Sequence, residues 1–577
     1  MLKESGVQFK AKFIGFVDSY IKGVIGQNAF RKYLVTCNVT PKNIYTDNID
    51  YCERYREESY IIHQLLEYMV SIGFNIKDIL NSINEIVEFY PWVHDIRFIT
   101  NGLADDEKGF PYLLHEYLEG FFKINNPRQY GEYYTPKEMV SLALEQIDLN
   151  INDKVIDPSC GSGFFLFSYI EEINKLGLIK SEDDINKLQE RVFGYDIFPF
   201  AIITTKLLLG YQIFSIFKKK DKVFNYNNIR IVNTIDTLKC KSNTMTKKHE
   251  TDFDFVLGNP PFFRIDPKNK NSICDCVSFG HNYAHSIFLH WAIQNLKDNG
   301  KLCLFLPQSM LSGYYYQKSR KELLSKMRLH LIIRNKNHEK DFDVQQDIII
   351  LIAHKSNKEY KSFRIATSLN DYSGIQTYSL PLKITDNKLN IIPVIKNNIE
   401  FEVLRKISKL PLLRYIYKLK MSTGNYVWNQ NKDLCITEKT ETSIPLISGP
   451  NITIEGIILE IDRANNIPYC LPDKKKYIKT HYAILFRRMS PIGNEKRMIA
   501  AIIDPNEIKE YVVENHVNII ECENKSYLND ILRLISSSDF NILIDAFCHT
   551  NQVSTNELKI IFEILQKMSK MKNDNMK

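Results

Sequence analysis

The segment Leu257-Gly258-Asn259-Pro260-Pro261-Phe262 sets a side-chain amide, a backbone carbonyl and an aromatic ring within four positions. That combination grips a planar exocyclic amine. The Asn259 side chain and the Pro260 carbonyl both accept hydrogen bonds from an N–H2 group, Pro261 fixes the direction of that carbonyl, and the Phe262 ring stacks on a base. The apolar run Phe253-Asp254-Phe255-Val256-Leu257 before it has strand length, and the prolines stop both a continuing strand and an immediate helix. The group therefore belongs on a loop at a strand end, where α/β proteins place ligands. A plain turn after a buried strand would give the same local sequence, so the rest of the chain must decide.

Four stretches upstream bear on that decision. Gly131-Glu132-Tyr133-Tyr134-Thr135-Pro136 reads as a loop with Thr135 as N-cap and Pro136 at the first helical position, leading into Lys137 to Leu144. Val155-Ile156-Asp157-Pro158-Ser159-Cys160-Gly161-Ser162-Gly163-Phe164 runs from a strand through a small-residue turn into a helix, a turn that lets backbone approach a ligand. It lacks both the GxGxxG spacing of dinucleotide sites and the lysine of a P-loop. Val192-Phe193-Gly194-Tyr195-Asp196 ends a strand in an acid suited to two ribose hydroxyls, and Ile231-Val232-Asn233-Thr234-Ile235-Asp236 ends another the same way. Either acid alone could be a turn residue. Both, in register with the glycine turn and followed by Asn259, argue for a ligand site.

The elements that must position these residues alternate short apolar runs with helical stretches from about 129 onward, the pattern of a doubly wound sheet. Further buried strands are expected at Lys301 to Pro307 and Ile348 to Ala353. The preceding residues show helical spacing, as in Tyr60 to Val70, so 1–128 is expected to be a helical domain. It contains no Glu-x-Lys tripeptide, which disfavours a fused nuclease centre. At 577 residues the chain should form about three or four domains. Its 44% hydrophobic and 25% charged residues are those of an ordinary soluble protein, and no membrane-spanning run is expected. The 11 cysteines form no Cys-x-x-Cys pairs and read as reduced cytoplasmic thiols, with no metal site; Cys274 and Cys276 lack further ligands. A net charge of +7 permits a nucleic-acid partner.

The order of these motifs over about 110 to 355 resembles the N6-adenine DNA methyltransferases of the gamma class, which includes TaqI-type enzymes and type I modification subunits. The resemblance implies a Rossmann-like α/β methyltransferase domain over 129–390, using S-adenosylmethionine, between the helical 1–128 and a mixed α/β target-recognition domain over 391–577. It implies cofactor contacts from Tyr134, Thr135, Pro136, Asp157, Pro158, Ser159, Cys160, Gly161, Gly163, Asp196, Ile197, Asp236, Thr237 and Asn259. Thr135 and the Asp157 to Gly163 loop would touch the methionine part, Asp196 the ribose and Asp236 the adenine amino group. Asn259, Pro260, Pro261 and Phe262 would hold the target base, and Phe342 would pack on its other face. Many relatives carry Tyr where this chain has Phe262, which keeps the stacking face and loses a hydroxyl.

Later segments, Lys418 to Gly424, Pro445 to Asn451 and Ile484 to Met489, resemble target-recognition domains. Lys418, Lys420, Arg487 and Arg488 are the leading DNA contacts, with Arg405, Lys406, Lys409, Arg414 and Arg497 as further basic candidates. The expected partner is double-stranded DNA, read by a monomer without a separate specificity subunit. Methylation of a guanine amine in RNA or of a protein glutamine amide stays open, since both acceptors are planar N–H2 groups. A scaffold that only binds nucleic acid is the noncatalytic alternative.

Overall fold

A computed structural model describes residues 13–14, 17–19, 28–33, 49–94, 114, 135, 137–221, 223–238, 251–265, 277, 281–334, 348–356, 360–368, 375–385, 390–395, 397–459, 468–472, 475–489, 496–547 and 552–569. Nine strands form the central sheet: β1 (Val155–Asp157), β2 (Val192–Asp196), β3 (Ile229–Ile231), β4 (Phe253–Gly258), β5 (Leu296–Pro307), β6 (Met327–Arg334), β7 (Ile348–Lys355), β8 (Ser362–Ser368) and β9 (Ile375–Pro381). Their order is β3-β2-β1-β4-β5-β7-β6-β8-β9. The first five run parallel, whereas β7 is antiparallel to both β5 and β6. From β1 the chain winds outward to β2 and β3, then returns to place β4 on the other side of β1. That reversal is a topological switch point, where the loops after the two strands part and leave a crevice.

Strand alternation assigns each side chain to one of two cores. Val155, Phe255, Leu257, Cys303 and Phe305 face helices Phe164–Lys175 and Pro199–Phe217, and behind these lie N-terminal helices including Ile49–Ser71. Ile156, Val256, Leu302, Leu304 and Leu306 face the opposite layer, built from helix Ala284–Asn295 and C-terminal elements. Helix Pro199–Phe217 corrects one expectation: it is long and apolar enough by composition to cross a membrane. Most of it is buried within the fold, including Lys206, whose ammonium meets Glu85 of the N-terminal helices at 2.7 Å. Packing on both sides explains why it is apolar all round.

The C-terminal part begins without a gap in the core. Ile391, Ile392, Val394 and Ile395 are buried in the second core, with Ile392 N–H donating to Leu311 and Val394 N–H to Ala546. Helices Asn398–Ile407, Lys525–Ile535, Ser538–Phe547 and Thr555–Ser569 share that core. Outside them lies a four-stranded sheet in the order β10 (Lys420–Thr423), β18 (Val517–Glu521), β15 (Ala483–Arg487), β16 (Ala500–Ile503). A five-stranded sheet follows: β11 (Cys435–Ile436), β13 (Tyr469–Cys470), β12 (Ile444–Ile447), β17 (Tyr511–Val513), β14 (Ile478–Lys479). Alternation along β15 again splits the side chains: Ile484 and Phe486 face the shared core, Ala483 and Leu485 a separate outer one.

Candidate active site

Both strands flanking the switch point end in the residues singled out by their chemistry. β1 delivers Asp157 and β4 delivers Gly258 and Asn259 side by side. Asp157 is 1% exposed. Its Oδ1 accepts from Ser159 N–H at 3.0 Å, while Oδ2 is buried with no hydrogen-bond partner. Burial raises the carboxyl to about 8, against the opposing pull of the Ser159 N–H and with a further push from Asp196. Such a group calls for a cationic or donor partner. Gly258 has φ +145°, and a Cβ there would lie 2.5 Å from Asp157 Oδ1, so only glycine lets β4 pass this close.

The turn after β1 is held from three sides. Asp196 Oδ2 accepts from Gly161 N–H and its Oδ1 from Phe198 N–H, each at 3.0 Å. Thr205 donates to the Gly161 carbonyl at 2.9 Å and Thr234 to the Pro158 carbonyl at 2.6 Å. Gly163 has φ +86° and no room for a Cβ against Thr205. Thr205 and Thr234 carried no signal in the sequence; they act through hydroxyls on helices whose approach only the tertiary fold reveals. Two expected contacts change character. The Cys160 side chain is buried in the core, its thiol pushed well up by burial, so only its backbone joins the turn. Thr237 uses its hydroxyl to donate to Thr234 and to accept from Trp291 Nε1 at 2.7 Å, which ties it to the fold. Ile197 and Asp236 are half-buried, and Asp236 does not end a strand as expected: β3 stops at Ile231, and Asn233 caps a short helix, Thr234–Thr237, that carries Asp236.

Asn259 is fixed in one orientation. Its Nδ2 donates to Thr135 Oγ1 at 3.0 Å across 124 positions of chain, while Oδ1 is buried without a partner. A buried carbonyl oxygen left unpaired costs about 1–3 kcal/mol, so the arrangement is suited to a donor supplied by a ligand. Ser159 Oγ lies 3.5 Å from the Asn259 carbonyl, bringing the glycine turn and the Asn-Pro-Pro loop together. Phe262 is half-buried, and its ring meets His285 in an edge-to-face contact at 5.6 Å. His285 is 2% exposed, has neither ring nitrogen hydrogen-bonded, and is held neutral by burial, its value lowered to about 3. Tyr283 and Tyr316 pack against it at 5.5 and 5.3 Å. A histidine within an apolar helix gave no warning of this. Tyr134, Pro136 and Phe342 lie outside the described residues.

The donor set fits S-adenosylmethionine: the orphaned buried oxygen of Asp157, a turn closed to a Cβ at Gly163, and the Asp196 carboxyl at the end of the neighbouring strand. Residues 113–371 match the family described as N-6 DNA Methylase. This segment belongs to that family. Over 213 residues the chain is 27% identical to the EcoEI type I restriction enzyme methylase subunit of Escherichia coli, covering 36% of this chain and 39% of that protein. It is 28% identical over 293 residues to the type II restriction enzyme and methyltransferase RM.BcgI of Heyndrickxia coagulans, covering 48% and 41%. The chain thus spans less than half the length of these two relatives. A solved nuclease-deletion mutant of the type ISP restriction-modification enzyme LlaGI, in complex with a DNA substrate mimic, shares the fold with TM-score 0.51. Its identity is 12%, over 98% of this chain and 57% of that one. The matched segment contains all of the candidate catalytic and cofactor residues above.

The basic candidates outside the methylase segment are dispersed. Arg497 is 1% exposed and is removed from any DNA surface; its place in the core reflects packing that a charge count cannot see. Arg405 pairs with Glu402 and Lys406 with Asp539. Lys418 and Lys420 are exposed, whereas Arg487 and Arg488 are half-buried, with Arg487 Nε donating to the Ile452 carbonyl. Lys420 is in register with Glu521 and Ala483, and Arg487 with Val517. The two therefore sit at opposite ends of the four-stranded sheet, about 13 Å apart along the strands.

Proposed function

We propose that the chain transfers a methyl group from S-adenosylmethionine to N6 of an adenine flipped out of duplex DNA, at a sequence read by residues beyond the methylase segment. The observation that carries this is the Asn259 amide, pinned through Nδ2 to Thr135 with its acceptor oxygen buried and open. The bound cofactor supplies an electrophilic methyl; the protein must make an adenine amine attack it. That nitrogen is a poor nucleophile because its lone pair is delocalised into the ring. Acceptance of its two hydrogens by Asn259 Oδ1 and the Pro260 carbonyl draws it towards tetrahedral geometry as the bond forms. An alkylated ammonium is acidic, so no strong base is required. Asp157 serves the methionine end of the cofactor, Asp196 the ribose and Asp236 the adenine amino group.

Flipping costs a few kcal/mol, and stacking on Phe262 offsets about 1–3 kcal/mol of it. The remainder falls to a second face, assigned to Phe342, and to backbone contacts including Lys418, Lys420, Arg487 and Arg488. DNA as the acceptor and a restriction-modification setting are supported by the two curated relatives, both named as restriction-system proteins. A reducing cytoplasm is the compartment proposed, on the lack of Cys-x-x-Cys pairs among the 11 cysteines. The chain is expected to act as a monomer without a specificity subunit. The test is incubation of the purified chain with labelled cofactor and, in parallel, a library of DNA duplexes, total RNA and a protein mixture, followed by base mapping of the DNA. N6-methyladenine in one sequence context supports the proposal, and Asn259→Ala should lower its formation at least about a hundredfold with cofactor binding kept. Label in RNA or protein alone would overturn it, as would a requirement for a second subunit for the monomer reading.

A further inference from the structure

The N-terminal helices carry no motif, yet one of their side chains packs on the residue that holds Asp196. Arg54, on helix Ile49–Ser71, is 3% exposed. Its guanidinium carbon lies 3.9 Å from the centroid of the Phe198 ring. Phe198 is the N-cap of helix Pro199–Phe217 and offers that helix no side-chain cap. Its backbone N–H instead donates to Asp196 Oδ1 at 3.0 Å, so the residue whose ring meets Arg54 also holds the carboxylate proposed to bind the ribose. On its far side Arg54 Nε donates to Glu58 Oε1 at 2.7 Å, and Glu58 Oε2 accepts from the Tyr90 hydroxyl at 2.5 Å. Glu58 itself is 0% exposed.

A buried ion pair is a poor choice for stability alone, because desolvation consumes most of its Coulombic gain and apolar residues of equal volume do as well. What it adds is direction: a planar cation, oriented by its carboxylate, lies flat on one aromatic face. Pro199 has a fixed φ immediately after that ring and the Phe198 N–H is bonded to Asp196, so a shift of Phe198 is passed to the Asp196 carboxylate. We infer that Arg54 is a positioning residue for the cofactor: through Phe198 the Tyr90–Glu58–Arg54 chain of the N-terminal helices sets the Asp196 carboxylate for ribose hydroxyls.

This rests on the cofactor assignment above, and the full chain tests both separately. S-adenosylmethionine dissociation constants, kcat at saturating cofactor and cofactor-free melting temperatures are measured for wild type, Arg54→Lys, Phe198→Leu and Lys206→Met. Arg54→Lys keeps the charge and loses the planar face; Phe198→Leu keeps the ion pair and loses the ring. Both should weaken cofactor binding about tenfold while kcat at saturation changes less than about threefold. Lys206→Met breaks the tie to Glu85 between the same layers away from this turn. It should lower the melting temperature and leave the cofactor constant alone. Should Arg54→Lys unfold, Phe198→Leu decides. Binding within about twofold of wild type in the folded variants, or equal weakening by Lys206→Met, overturns the inference while leaving the proposed function in place. A wild-type chain that fails to bind the cofactor overturns both.

Discussion

Replacing Asp157 by Asn should make the cofactor-free protein more stable and the enzyme worse. The isosteric amide keeps an oxygen to accept from Ser159 N–H and removes a charge that is buried with one oxygen unpaired. Burial takes the carboxyl from 3.8 to about 8. In the unfolded chain it ionises near 4, so between about pH 4 and 8 the folded state binds the extra proton and stability falls as pH rises, by about 1.4 kcal/mol per pH unit. Below that window no charge is buried; above it the penalty is constant. At pH 7, about three units up, the advantage of Asn reaches at most about 4 kcal/mol. Denaturant midpoints of the two proteins at pH 4, 6 and 8 give the comparison. Loss of a charge-assisted contact of about 1.5–3 kcal/mol should weaken the cofactor about 10- to 100-fold in calorimetry. A stability difference that ignores pH would refute the burial argument, and unchanged cofactor affinity would remove Asp157 from the site.

Three further outcomes follow from the geometry. Gly258→Ala must relieve a 2.5 Å clash with Asp157 at a backbone φ of +145°, a strain of about 1–3 kcal/mol, and should weaken cofactor binding more than it lowers the melting temperature; intact affinity would argue against the close approach of β4. His285→Phe should reduce acid lability between about pH 6 and 3, because His285 is held neutral in the fold and gains its proton on unfolding, and an unaltered acid midpoint would contradict its burial. A chain cut at 390 should aggregate, since Ile391, Ile392, Val394, Ile395 and four helices leave the second core with it; a soluble, cofactor-binding fragment would show that the sheet stands alone.

The candidate catalytic loop was legible because its chemistry is local: Asn259, Pro260 and Phe262 lie within four positions, and prolines announce the turn. Asp157 and Asp196 were legible as strand ends, which the sheet reproduces, whereas Asp236 was misplaced, because Asn233 caps a short helix that the apolar spacing does not announce. What escaped was any function exerted across the fold. Thr205 reaches Gly161, Thr234 reaches Pro158 and Arg54 reaches Phe198 over sequence separations that no pattern encodes. Basic residues misled for the same reason: Arg497 looks like its neighbours in sequence, yet the fold buries it.

The layering of the C-terminal part bears on how the proposed recognition segment could be exchanged between proteins. Helices Asn398–Ile407 and Lys525–Ile535 bracket the two outer sheets in sequence while packing beneath them on the catalytic side. The outermost sheet has its own small core of Tyr426, Ile444, Leu446, Cys470 and Val512. A graft therefore needs to leave the bracketing helices with their host and swap only the strands between them. Gly424 marks one natural seam, because the chain passes there so close to Glu514 that a Cβ would meet its carbonyl oxygen at 2.2 Å. A donor segment with any other residue at that point would arrive with the wrong path, however well its surface suited a new DNA sequence.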